Sequence, residues 1–225
     1  MDTVRQASPN VLKKGQITPY PMPGQEALAL NKVDWPLDAN DAVLLVHDMQ
    51  QYYVEFYAGE TPLVATIAQL IAGARACGMP IVYTRGERPR HPAERALALQ
   101  MWGLGMANPA ITERDFAIAP PLTPQQQDFI IDKLRVSAFF ETPLADLLQK
   151  FGRKQIFLCG VFAHHGVMMT SVDAFMRNYK VQLIADALGD YSADDHWMTL
   201  RYVAQLSGRV ALAQQALDAM AKVRV

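Results

Sequence analysis

The chain has 225 residues, 51% of them hydrophobic, enough for one large domain or two small ones around a substantial core. Its 21 basic and 22 acidic residues give a net charge of -1, which excludes the general polyanion-binding surface that nucleic acids or anionic membranes require. Cys77 and Cys159 both lie in apolar surroundings, no apolar run approaches the roughly 18 residues of a membrane span, and the N-terminal MDTVRQASPN lacks a signal-peptide core; a cytoplasmic protein without disulfides or membrane contact is expected.

Residues 1–40 carry Pro9, Pro19, Pro21, Pro23 and Pro36 with no sustained period, which predicts an irregular strap over the domain. At residue 42 the pattern changes. AVLLVH is a continuous apolar run, as in a parallel strand buried on both faces. ETPLVATIAQLIAGARACG predicts a helix with Thr61 as N-cap, Pro62 at its first position and Gly78 just past its end. PIVYT (80–84) predicts a strand, PAERALALQMW (92–102) a helix, DFIID (128–132) a strand, and TPLADLLQKFG (142–152) a helix closed by Gly152. QIFLCGV, VMMTSVDAFMRNY, KVQLIADAL, SADDHWMTLRYVAQL and RVALA continue the alternation. The expected fold class is α/β: a three-layer α/β/α arrangement on a six-stranded, mainly parallel, doubly wound sheet, with residues 41–225 as a single domain. Residues 85–127 depart longest from the alternation, which marks them as a functional lid.

Doubly wound sheets bind ligands beyond the carboxyl ends of their strands, so the residues that follow strands are the candidates. The first strand leads into His47-Asp48-Met49-Gln50, the third into Asp132-Lys133, and the fourth into a turn ending at Gly166. A carboxylate closing an apolar run is partly desolvated, which raises its pKa and suits it to proton donation; Asp48 could equally cap a turn or pair with an arginine. Lys133 is either a site residue or a solvated strand-end lysine. His164 and His165 are adjacent and point apart, with no further His or Cys at ligand spacing, so no metal is expected. Asp194, Asp195 and His196 fall at a helix start, where acids serve as caps, and Met168 and Met169 read as core filler. No G-x-S-x-G elbow or nucleotide-binding glycine pattern occurs, so neither a serine nucleophile nor a cofactor is implied.

LLVHDMQ, the lysine of DKLRVSAFF, and GVFAHHG followed by TSVDAF together resemble the isochorismatase-like superfamily. NKVDW, ERALALQMWGLGM, VDAFMR and IADALGDYSADDH extend the likeness over most of residues 31–212, to the branch that cleaves vinyl ethers. The resemblance implies a homodimer and a site that keeps two members of an Asp-Lys-Cys triad, Asp48 and Lys133, with Gly166 in place of the cysteine. It implies a cofactor-free hydrolase of siderophore or phenazine biosynthesis acting on a chorismate-derived small molecule. Asp48 would protonate the enolpyruvyl methylene, water would capture the oxocarbenium ion, and pyruvate and a dihydro-aromatic acid would leave. Gly166 would leave room for the ring and Trp102 would wall it. Arg95 would hold a carboxylate, Gln50 and His164 would complete the substrate contacts, and the Val161–Phe162 peptide would be cis.

Three stretches depart from the branch. Thr84-Arg85-Gly86-Glu87 stands where Thr-Ala-Gln-Pro is typical, Phe162 replaces a tyrosine, and Lys133-Leu134-Arg135-Val136 replaces Lys-Trp-Arg-Tyr. A less polar pocket is expected, opened at Gly86 and with Arg85 as a candidate new cation. No Asp-Ser pair for carrier attachment is present, so a stand-alone hydrolase is expected. A cysteine-dependent amidase is opposed by Gly166, and a non-catalytic binding protein by the joint retention of Asp48, Lys133 and Arg95.

Overall fold

Six strands, β1 (Ala42–His47), β2 (Ile81–Gly86), β3 (Phe129–Lys133), β4 (Gln155–Val161), β5 (Lys180–Gly189) and β6 (Arg209–Ala211), form one sheet in the order β3-β2-β1-β4-β5-β6. The computed structural model describes residues 14–59 and 61–223; Pro9 with the rest of the strap before residue 14, Glu60, and the last two residues lie outside them. Every neighbouring pair is parallel, and the order reverses between β1 and β4, so a crevice opens at their carboxyl ends.

The helices are α1 (Gln51–Val54), α2 (Pro62–Ala76), α3 (Leu97–Trp102), α4 (Glu113–Phe116), α5 (Leu144–Phe151), α6 (Met168–Met176), α7 (Ala193–Leu206) and α8 (Ala213–Ala221). Strand β1 shows why its sequence is apolar throughout. Leu44 and Val46 face a core layer with Ile67 and Leu70 of α2 and Met220 of α8, whereas Val43 and Leu45 face a second layer with Leu148 of α5 and Leu200 of α7. Both faces of a parallel strand are thereby covered, and each such side chain contributes about 1.5–3 kcal/mol relative to exposure. Cys159 is fully buried in the first layer. No helix is long and apolar enough to cross a membrane among the described residues.

Helix α2 begins and ends as its sequence predicts: the Thr61 hydroxyl accepts the Leu63 N–H, Pro62 is the first helical residue, and Gly78 lies beyond the end at φ 68°. Helix α5 starts two residues later than expected because Thr142 acts before it, its hydroxyl accepting the Leu144 N–H. Gly152 closes it in the left-handed conformation.

The expected helix over 92–102 is broken. Pro92–Arg95 is a 3-10 turn, Ala96 takes φ 49°, and only Leu97–Trp102 is α-helical. The chain curls here around Arg95, whose Nε donates to the Gly103 carbonyl at 2.9 Å; its guanidinium lies so close over Gly105 that a Cβ there would stand 2.7 Å from Nη1. The strap, residues 14–40, contains 3-10 turns at Gln25–Leu30 and Ala39–Asp41. It is pinned where Asn31 exchanges two side-chain hydrogen bonds with the Val210 backbone of β6.

Strand β4 presses on β1 at Gly160, which sits at φ 116° beside a register shift, and a Cβ there would run into the His47 backbone. Both the dihedral and the contact penalise a side chain. Gly160→Ala is therefore expected to lower the unfolding free energy by at least about 2 kcal/mol, read as a fall in the urea midpoint.

Candidate active site

Three adjacent strands deliver one cluster. Asp48 follows β1 at φ 50°, in the left-handed region where a non-glycine residue is held by its surroundings. Its N–H points to the carbonyl and hydroxyl oxygens of Thr84 on β2, and the Thr84 hydroxyl donates back to Asp48 Oδ1 at 2.6 Å. Lys133, the last residue of β3, donates its Nζ to Asp48 Oδ2 at 2.7 Å and to the Arg135 carbonyl at 3.2 Å. Asp48 and Lys133 are both buried, at 9% and 5% exposure.

Burial by itself would push the Asp48 carboxyl up, as its sequence position suggested. The adjacent His47, 3.6 Å away through Nδ1, the Lys133 ammonium and the two donated hydrogen bonds together outweigh that, and the carboxyl is held below its ordinary value. In the unliganded protein Asp48 is therefore an anion. Burial pushes the His47 imidazole down to about 4, so it is neutral near pH 7 and carries charge only in the acid range where Asp48 itself titrates.

The cluster opens into a cavity of about 680 Å³ lined by Asp48, Lys133, Gly166, Gly86 and His164, and by Arg95, Trp102 and Phe162. Eight of the ten expected site residues therefore meet in one place. Two do not line it. On a strand, successive side chains face opposite sides, and Gly86 takes the cavity side; Arg85 accordingly points away, pairing bidentately with Asp132 at 2.7 and 2.8 Å and stacking on Phe116. The expectation of a new substrate cation at Arg85 is corrected. Gln50 is fully buried and clamps the Gly86 backbone, accepting its N–H at 2.6 Å and donating to its carbonyl at 3.2 Å, so it shapes the wall without facing the cavity.

Four further groups belong to the site and were not nominated from sequence. Thr84 anchors the carboxylate. Arg135 lines the cavity, held by its Nη1 on the Glu94 and Leu134 carbonyls. Among the described residues neither Arg95 nor Arg135 has an acidic partner. Tyr53 lines the wall opposite Gly86, where a Cβ would stand 3.1 Å from the phenol oxygen, and packs edge-on against Phe162 at 5.7 Å. His165 meets the face of Trp102 edge-on at 4.5 Å; burial pushes it down to about 4, so it is neutral. Arg135 was legible in principle, two residues beyond Lys133, whereas Tyr53 sits on a helix too short to show a period.

His164 is anchored differently. Its N–H and Nδ1 both bind the buried Asp190 carboxylate, which raises the imidazole pKa. Among the described residues no three His, Cys, Asp or Glu side chains converge on a metal position. Gly166 lies in the π turn Ala163–Val167 that leads into α6, and the Val161–Phe162 peptide before it is cis.

A domain model for isochorismatases matches residues 42–215. The chain belongs to the isochorismatase family. This isochorismatase-family chain is 39% identical over 204 residues to enterobactin synthase component B of Escherichia coli K12, covering 89% of the chain and 70% of that protein. It is 37% identical over 204 residues to phenazine biosynthesis protein PhzD of Pseudomonas fluorescens, covering 89% and 97%. It is 36% identical over 206 residues to an isochorismatase of Bacillus subtilis, covering 90% and 65%. A cysteine hydrolase from Pseudomonas syringae shares the fold with a TM-score of 0.79 at 24% identity, over 85% of this chain and 98% of that one. The protein is a hydrolase of the isochorismatase type.

The depressed Asp48 pKa carries a stability consequence with a definite sign. Its contribution is present above pH about 4 and is lost as pH falls through the folded-state value. Lys133→Met removes the ammonium and strands a buried carboxylate. It is expected to cost about 3–5 kcal/mol at pH 7, with the gap to the parent protein narrowing at pH 4, where the variant's carboxyl is protonated. Urea unfolding at the two pH values measures both.

Proposed function

We propose that this hydrolase cleaves the enolpyruvyl ether of isochorismate or a close chorismate-derived analogue, giving pyruvate and a dihydro-aromatic acid. One observation carries the reading: a buried carboxylate paired with a lysine faces a cavity whose usual nucleophile position is a glycine, while two arginines without acidic partners among the described residues stand ready for substrate carboxylates.

The substrate carboxylates engage Arg95, Arg135 and Lys133. Substrate charge then offsets the Lys133 field on Asp48, and the remaining desolvation lets the carboxyl take and hold a proton. Asp48 gives that proton to the terminal methylene; the vinyl π electrons form the new C–H bond, and an oxocarbenium ion results. Water adds to the cationic carbon, losing a proton that restores Asp48, and the hemiketal collapses to pyruvate and the ring alcohol. The ether bond breaks on the enolpyruvyl side. Hydrolysis in oxygen-18 water therefore leaves the ring hydroxyl unlabelled.

The departures from the branch fit a changed ring contact with unchanged chemistry. Gly86 opens the wall where an amide is typical, Phe162 has no hydroxyl, and the Tyr53 phenol stands beside both. Trp102 and the apolar residues of α3 cover the ring. The same resemblance supports a cytoplasmic homodimer in a siderophore- or phenazine-type pathway, with light scattering as the check on assembly.

Pyruvate release from isochorismate, chorismate and the amino analogue, coupled to lactate dehydrogenase, tests the assignment; no pyruvate from any of the three would end it. Asp48→Asn is expected to lower kcat by about 10²–10⁴-fold, the span of general-acid catalysis. Because Asp48 is ionised in the free enzyme, kcat/KM should fall as pH rises from 6 to 9. Arg95→Ala and Arg135→Ala are each expected to raise KM by about 10–100-fold, with smaller effects on kcat. Tyr53→Phe should change the ranking of the three substrates more than the rate with the best one.

A further inference from the structure

We propose that His47 is a positioning residue that keeps position 166 free of any side chain, so that the site's chemistry is set by a matched His47–Gly166 pair and not by the glycine alone. His47 ends β1 immediately before the acid and is fully buried. Its Nδ1–H donates to the Val161 carbonyl at 2.8 Å, which fixes the tautomer and leaves Nε2 as the bare nitrogen. That Nε2 is buried with no hydrogen-bond partner among the described residues. The ring lies directly against Gly166: a Cβ there would collide with Cε1, stand 2.9 Å from Nε2, and meet the Val136 carbonyl oxygen at 3.0 Å. The ring cannot swing aside cheaply, because its Nδ1 is tied and its backbone is wedged against Gly160.

A buried imidazole with an unsatisfied nitrogen is destabilising, and a valine or isoleucine would complete β1 without that cost. Packing stability alone does not explain the histidine, whose Nδ1 also stands 3.6 Å from Asp48 Oδ2. Its placement does: it occupies the volume that the first atom of a nucleophilic side chain would need. Gly166 was expected to serve as space for substrate, but the space its missing side chain leaves is already filled from below by His47. Introducing a thiol at 166 by one substitution is therefore blocked, and both positions must change together. The inference rests on packing and holds whether or not the substrate is an enolpyruvyl ether. Under that reading, it is what confines the site to proton transfer.

The test is a double-mutant cycle of Gly166→Ala, His47→Asn and the two combined. Asparagine keeps an N–H near Nδ1 for the Val161 carbonyl and removes Cε1 and Nε2, so the combined change roughly conserves volume. Gly166→Ala alone is expected to lower the thermal midpoint and kcat, and His47→Asn to restore a large share of both, so that the double variant is better than Gly166→Ala. The imidazole of His47 gives the readout that a merely structural contact would not move. In 15N-histidine spectra at pH 7 the parent protein is expected to show a neutral ring protonated at Nδ1, and Gly166→Ala should shift or abolish that signal while the His91 signal stays. If Gly166→Ala gives no soluble protein, soluble double variant supports the pair, and failure of both while His47→Asn folds overturns it. His47→Val provides a second background with the same ring atoms removed. Additive losses in both backgrounds, or an unmoved His47 signal in Gly166→Ala, overturn the proposal.

Discussion

The ion pair between Asp48 and Lys133 is the constraint to which the rest of the site answers. Neither charge tolerates burial alone, since desolvation of one unpaired ion costs several kcal/mol. Each must therefore be brought to the other by elements that cannot move. The sheet does this by register: β1 supplies the acid, β2 the Thr84 hydroxyl, and β3, paired with β2 at Gly86 and Lys133, the amine. The left-handed backbone at Asp48 is held by the same partners, its N–H being satisfied by Thr84. Under the proposed reaction, an acid that is anionic when alone and takes up a proton when an anionic substrate arrives would need this arrangement, because the field of a fixed cation is one that substrate charge can offset.

The opposite side of the crevice is organised by β4 and the turn that follows it. The turn is anchored through Asp190, which binds the N–H and Nδ1 of His164. The Asp190 N–H in turn donates to the Tyr20 hydroxyl at 2.7 Å, and that hydroxyl meets His196 Nδ1 at 3.1 Å. The strap is thus part of the support of the site, although none of its described residues lines the cavity. The excursion between β2 and β3 closes the remaining side, curled around Arg95 so that its guanidinium and Trp102 face the same space.

Much of the fold was legible because burial on both faces forces a composition. AVLLVH and QIFLCGV are apolar apart from His47 at the end of one and Gln155 at the start of the other, and α2 carries its cap, proline and terminal glycine in the sequence itself. Asp48, Lys133 and Gly166 were legible as strand-end residues whose pattern resembles a family. The break at Ala96 was not, because PAERALALQMW has good helix formers throughout and the force that breaks it is a hydrogen bond from Arg95 to Gly103 eight residues away. The direction of Arg85 escaped for a similar reason: the end of a strand does not announce which side faces the crevice.

The sequence by itself determined the alternation of strands and helices, the absence of a nucleophile at 166 and the candidates for acid and amine, since these follow from residue type and local order. Only the tertiary structure decided which charges meet. The Lys133 that helps hold the Asp48 carboxyl down lies 85 residues later, the lack of an acidic partner for Arg95 and Arg135 among the described residues shows only in the folded chain, and the collision that bars a side chain at 166 involves a ring from another strand. Electrostatic and steric energies depend on distance through space, and chain order carries no record of that distance until the sheet has formed.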